Sequence, residues 1–206
     1  MSIPTTAPKI DQPRFGPTTA LLVVDVQNDF ADPGGGLYVR DGEQVVPLVS
    51  ELVGAALNAG SEVVYTQDWH PSSTPHFAKD GGIWPVHCVA DTWGAELHPQ
   101  LLVKGPVVRK GTSGEDGYSG FSARNPTTGE TAPTQLQSLL DPSVRRLVVV
   151  GLAGDYCVKE TALDGVRLGY DVEVPLELTR FVELEEGDTE RSVEQMRAAG
   201  VTVTRG

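Results

Sequence analysis

Residues 20–26, ALLVVDV, form a continuous apolar run that ends at an acidic step. A strand covered on both faces has this pattern, because neither side of it meets water. Four similar runs follow: SEVVYTQD at 61–68, GPVVRK at 105–110, RRLVVVGL at 145–152 and YDVEVP at 170–175. VTVTRG, at 201–206, gives a sixth. Between the runs the apolar spacing becomes helical. Val45, Val49, Leu52, Val53, Ala56 and Leu57 fall on one helical face and stop before Gly60, where a left-handed cap residue belongs. Pro47 interrupts that stretch; lacking an N–H, it requires the helix to begin close by. Val158, Ala162, Val166 and Leu168 predict a second helix ending at Gly169, and residues 192–199 a third ending at Gly200. A weaker helical piece spans 134–140, stopped by Asp141-Pro142.

Strands alternating with helices predict a three-layer α/β fold. Its central sheet is expected to be mainly parallel and six-stranded, with helices on both faces and right-handed crossovers. Residues 20–206 read as one domain, and residues 1–19, with four prolines and no sustained period, as an irregular N-terminal arm. Ligands of such sheets bind beyond the carboxyl ends of the strands. Those ends carry Asp25, Asp68, Lys110 and the stretch 151–157, so the topology gathers carboxylates, an amine and a thiol on one rim. Residues 69–104 and 111–132 are long aperiodic stretches, and loops of that length inside a domain usually serve a function.

Composition narrows the partners. The 206 residues contain 16 Lys+Arg and 28 Asp+Glu, a formal charge of −12, and no basic stripe. That balance argues against nucleic acid or an anionic membrane surface and leaves small neutral or cationic ligands. No apolar run approaches the ~20 residues of a bilayer span. Two cysteines, Cys88 and Cys157, make no disulfide framework, and the N-terminus lacks a charged-then-apolar leader, so a reducing cytoplasm is expected. The sequence leaves self-association open.

Cys157 lies after a strand and a short Ala-Gly-Asp turn, on the first turn of a helix, where the helix dipole and free N–H groups favour a thiolate and can hold an oxyanion. A free cysteine elsewhere is more often an inert buried hydrophobe. No histidine is expected nearby, so Asp25, at the end of the first strand, is the candidate proton acceptor. Lys110, between a carboxylate and a thiol, would stabilise both anions. A second cluster joins Asp68, His70, His76 and His87, with three of the four histidines inside eighteen residues. Mixed Asp and His ligands suit one divalent Zn, Fe or Mn ion, with positions left for water or substrate. Cys88, beside His87, reads as a packed thiol.

Together, DVQNDF (25–30), DWH (68–70), WPVHC (84–88), the lysine of RKG, YSGF (118–121) and GLAGDYCV (151–158) resemble the nicotinamidases of the isochorismatase-like cysteine hydrolases. The match runs through residues 20–204 with the motifs in the family's order. The resemblance implies a triad of Asp25, Lys110 and Cys157, and metal ligation by Asp68, His70 and His87, with zinc first among the metals. His76, immediately before Phe77, fits a further ligand found in some members. Phe30, Trp84 and Tyr118 would form aromatic walls around a pyridine ring, and the N–H groups of Ala153 and Cys157 would hold the oxyanion. The implied Leu152–Ala153 peptide is cis. The implied reaction is hydrolysis of nicotinamide to nicotinate and ammonia through a thioester, extending to pyrazinamide, in pyridine-nucleotide salvage. The family commonly has Thr or Ser where Gly154 stands, so the turn before the nucleophile departs from its pattern.

Three other readings compete. An N-carbamoyl or ureido amidohydrolase would share the fold, but the histidine cluster disfavours it. A haloacid-dehalogenase-type phosphatase needs a second Asp two positions after the first, where Gln27 stands. A nucleotide-binding module would use Asp32-Pro33-Gly34-Gly35-Gly36, which lacks the following Lys-Ser/Thr of a phosphate cradle and reads as a turn. Glu183–Glu190 reads as a solvated helix start with Asp188 as its cap, and His98 as a loop residue.

Overall fold

The computed structural model describes residues 13–126 and 128–205. Most of the expected N-terminal arm therefore lies outside the described residues. The six apolar runs become β1 (Thr19–Val24), β2 (Glu62–Asp68), β3 (Val107–Lys110), β6 (Arg146–Leu152), β7 (Asp171–Pro175) and β9 (Thr202–Thr204). They pair in the order β3-β2-β1-β6-β7-β9, every pairing parallel. A two-residue strand, β8 (Thr179–Arg180), adds to the end of β6. An antiparallel pair, β4 (Ser122–Arg124) and β5 (Thr131–Pro133), stands apart from the sheet in a stretch without sequence period.

Helices cover both faces, as the continuous runs require. On one side α2 (Gly42–Asn58) packs Val45, Val49 and Val53 on Leu21, Val23, Val148 and Val150. On the other, α4 (Cys157–Arg167) and α5 (Asp188–Ala198) pack Val158, Ala162, Val193 and Met196 on Ala20, Leu22 and Val149. Alternate residues of one strand thus feed different cores. Short helices α1 (Asn28–Ala31) and α3 (Leu136–Leu139) complete the set. Among the described residues no helix is long and apolar enough to cross a membrane.

Two expectations need correction. α2 begins five residues before Pro47, further ahead than its missing N–H suggests, and tolerates the ring because Pro47 lies on the exposed side. Asp188 is the first residue of α5 rather than its cap: Gly187, at φ 86°, precedes the helix, and the Asp188 carboxylate accepts from the Glu185 N–H and from Arg191.

The strand order reverses direction between β1 and β6. Such a switch point opens a crevice at the carboxyl ends of the central strands. Asp25 follows β1 there, and residues 153–157 follow β6. Gly151 makes the close packing feasible: its φ is 114°, and a Cβ would sit 2.1 Å from the Val24 carbonyl oxygen.

Candidate active site

The sheet brings three strand ends to one point. Asp68 pairs with Lys110 across β2 and β3, and the Asp25 N–H bonds the Thr66 carbonyl at 3.3 Å. Lys110 is fully buried, so its ammonium needs charged and polar partners. It lies 2.7 Å from Asp25 Oδ2, 2.5 Å from Asp68 Oδ1 and 3.5 Å from Cys157 Sγ, and also donates to the Gly117 carbonyl. Sulfur and one oxygen each of Asp25 and Asp68 lie within 4.8 Å of one another around this ammonium. Asp25 takes a left-handed φ of 48°, uncommon for a non-glycine, and its Oδ1 accepts from the Thr66 hydroxyl at 2.7 Å.

Electrostatics sort these groups. Burial pushes Asp25 up to about 6, with the Lys110 ammonium opposing and Asp68 assisting the rise. Burial would also raise Asp68, but Lys110 and the neighbouring histidines hold its carboxyl well below the usual carboxylate range. Burial works against the Lys110 charge too, yet Asp25, Asp68 and Cys157 push its pKa well above the ordinary lysine value. Burial also pushes the Cys157 thiol well up; Lys110 opposes this and the two carboxylates reinforce it. This direction leaves work for a proton acceptor, the part expected of Asp25.

Around Cys157 the chain is tightly held. Cys157 opens α4, after a turn that starts at the cis Leu152–Ala153 peptide. Among the described residues, neither the Ala153 nor the Cys157 N–H is taken up by a turn, cap or loop hydrogen bond. The Asp155 carboxylate accepts the Val182 and Glu183 N–H groups at 3.0 and 2.8 Å, tying the segment after β8 to this turn. A Cβ at Gly154 would come within 2.6 Å of the Phe181 ring, so that ring fills the volume a Thr or Ser would need.

His70, His76 and His87 meet beside the thiol, with one ligand atom of each within 4.8 Å of the others. Both ring nitrogens of His70 are buried without a hydrogen-bond partner, and Nε2 lies 3.6 Å from Asp68 Oδ2. Leaving such a group unmet costs about 1–3 kcal/mol, which a cation shared with the other imidazoles would offset. His87 Nδ1 is 2.7 Å from the Pro85 carbonyl oxygen, leaving Nε2 free to ligate. Burial pushes His87 down to about 4, and burial followed by His70 pushes His76 down, so both offer neutral lone pairs. The three histidines fit a divalent cation, and Asp68 borders them, with Oδ2 near His70 and Oδ1 on Lys110.

A small cleft joins the two clusters. Phe30, Trp84 and Tyr118 line it, as do Asp68, His76, His87, Ala153 and Cys157. Trp84 Nε1 donates to the Tyr118 hydroxyl at 2.8 Å. Asp25, Lys110 and His70 do not line the cleft; Lys110 contacts Asp25, Asp68 and Cys157, and the His70 ring stacks on His76.

Several supporting residues escaped the sequence reading. Leu37, Tyr156 and Val182 also line the cleft. Gln27 clamps β2, donating to the Asp68 and Ala95 carbonyls and accepting the Asp68 N–H. Asp29 accepts the Cys88 N–H at 2.6 Å and the Gly36 N–H at 2.7 Å, which pins the loop carrying His87. Gln27 and Asp29 were visible as polar residues after a buried strand. Cys88 itself is packed and free, as expected.

The Isochorismatase domain family matches residues 19–206. A nicotinamidase of Escherichia coli is 37% identical over 206 residues, covering 91% of this chain and 94% of the relative. The chain belongs to the isochorismatase-domain family, among its nicotinamidases. The crystal structure of a Pyrococcus horikoshii pyrazinamidase in complex with zinc superposes with a TM-score of 0.80 at 35% identity, covering 92% of this chain and all of that one. The yeast nicotinamidase bound to the inhibitor nicotinaldehyde gives 0.82 at 30% identity, covering 91% and 100%.

Proposed function

We propose that this protein is a metal-containing cysteine amidohydrolase that converts nicotinamide to nicotinate and ammonia, and accepts pyrazinamide. The observation that carries the reading is the buried Lys110 ammonium, 2.7 Å from Asp25 and 3.5 Å from Cys157, whose sulfur opens on a cleft that His76 and His87 also line. A carboxylate near pKa 6 beside a protonated thiol is an acid–base pair able to pass one proton at neutral pH. Asp25 takes the proton from Cys157, and the sulfur attacks the carboxamide carbon while the Ala153 and Cys157 N–H groups hold the oxyanion. Asp25 returns the proton to the departing ammonia. Water, deprotonated by the same carboxylate, then splits the thioester, releasing nicotinate and the thiol. Lys110 keeps its charge throughout and stabilises the sulfur anion as it forms.

Asp68, His70, His76 and His87 would hold the cation, zinc in this reading. When bound, it supplies a Lewis-acidic anchor for the ring nitrogen, directly or through water. Phe30, Trp84 and Tyr118 sandwich the ring. The histidine cluster and the nicotinamidase relatives favour this substrate class over an N-carbamoyl or ureido compound, which needs no pyridine anchor. Residues 20–206 act as the single catalytic domain.

An ammonia-coupled assay on nicotinamide tests the reading. Activity should be lost on chelation and return with zinc. C157A should lower turnover by at least ~10⁴-fold, as removal of a covalent nucleophile does, with metal content unchanged. Ammonia release surviving in C157A would refute the mechanism.

A further inference from the structure

His70, His76 and His87 differ in what lies behind them. The Pro85 carbonyl sets the His87 tautomer, and His70 has no outer partner. His76 stands in a loop whose ring neighbours, His70 at 5.0 Å, Tyr118 at 5.6 Å and Trp84 at 6.3 Å, fix a plane but cannot choose which nitrogen bears the proton. One carboxylate can. Asp116 Oδ1 lies 3.5 Å from His76 Nδ1, and Asp116 is only partly exposed.

We propose that Asp116 is the positioning residue for the cation site, holding Nδ1–H of His76 so that Nε2 is the nitrogen left to ligate. The inference rests on the metal-dependent reading above. Metal-bound imidazoles commonly donate their second N–H to a carboxylate, which orients the ring and raises its basicity. Asp116 is itself fixed. Its N–H bonds the Arg124 carbonyl at 2.7 Å, the Arg124 N–H returns to its carbonyl at 3.1 Å, and Arg124 Nη1 lies 3.6 Å from Oδ2. Arg124 belongs to β4, so the small antiparallel pair outside the main sheet acts as the backing of the metal site.

The following two residues extend the same strip. The Gly117 carbonyl accepts from Lys110, and the Tyr118 hydroxyl accepts from Trp84. Residues 116–118 therefore touch a metal ligand, the buried amine and the ring wall in succession. Such a strip gives the hairpin a function that neither its exposure nor its sequence declares.

Zinc affinity, measured on the full chain by competition with a chromogenic chelator, tests the proposal in wild type, D116A, D116N and H76A. Visible spectra of the cobalt-substituted proteins give a second readout. D116A should weaken zinc binding about 10–100-fold, the usual effect of losing an outer-sphere partner. D116N, whose amide oxygen can still accept from Nδ1–H, should recover most of that loss, and the cobalt bands of D116A should shift toward those of H76A. Wild-type affinity and bands in D116A, with H76A weakened, would overturn this inference alone. An equal loss in D116N and D116A would reduce Asp116 to a fold contact and overturn it too. No zinc uptake by wild type would overturn the metal reading and this inference together.

Discussion

Asp25, Lys110 and Cys157 enter the cleft from regular elements, whereas His76, Trp84 and Tyr118 enter it from loops. For the first group, separations follow from sheet register and from the start of α4, set by hydrogen bonds far outside the site. For the second, positions depend on side chains holding one another, as Trp84 holds Tyr118 and Asp116 faces His76. On the proposed mechanism, the difference teaches that proton and acyl chemistry is built into the sheet, while ring recognition and part of the proposed metal site are assembled on it. Damage to the rim should therefore propagate into stability, and damage to the loops should stay within binding.

Lys110→Met gives the strongest contrast in stability. It removes the one cation lying between Asp25 and Asp68, and leaves two buried carboxylates facing each other. Removing one partner from a buried ionic cluster costs about 3–5 kcal/mol. Urea denaturation of the metal-free protein should show that loss for K110M, with activity also abolished. A midpoint equal to wild type would mean that the rim is not held by this ammonium, and the contrast with the loops would fall.

The pH profile probes the rim more gently. Asp25 must be ionised to accept the thiol proton, and it is ionised only above its pKa of about 6. kcat/KM should thus fall tenfold per pH unit as pH drops below about 6, the acid limb reporting the free enzyme. Thr66 donates to Asp25 Oδ1 and so favours the charged form. Thr66→Val should move the limb to higher pH, whereas Trp84→Phe should leave it in place. A limb near 4 in wild type would remove the raised carboxylate from the mechanism.

Reading the sequence recovers the rim better than the loops for the same physical reason. A buried parallel strand must be a continuous apolar run, so its end is visible, and the end of each run places Asp25, Asp68, Lys110 or Cys157 on a shared edge. β4, β5 and β8 left no signal, because three or fewer residues pairing at a surface need no apolar pattern. His76 stood out through the density of histidines, but Asp116 did not, since an acidic residue in a loop is ordinary until its neighbour is known. Gly154 looked like a loss beside the nucleophile; the Phe181 ring in its place comes from a segment 27 residues away in the chain, across β7.

The smallest effect is expected where only a loop contact is cut. Trp84→Phe keeps an aromatic surface in the cleft but removes Nε1, and with it the 2.8 Å hydrogen bond to the Tyr118 hydroxyl. A neutral hydrogen bond contributes about 0.5–1.5 kcal/mol net, so KM for nicotinamide should rise roughly 2–10-fold. Because the hydrogen bonds and ion pairs of Asp25, Lys110 and Cys157 described above do not involve Trp84, kcat should hold and the unfolding midpoint should scarcely move. Steady-state kinetics together with urea denaturation separate the two outcomes. A fall in kcat matching the rise in KM would show that the aromatic wall also aligns the carboxamide with the sulfur, and the division between a chemical rim and a binding loop would have to be redrawn at Trp84.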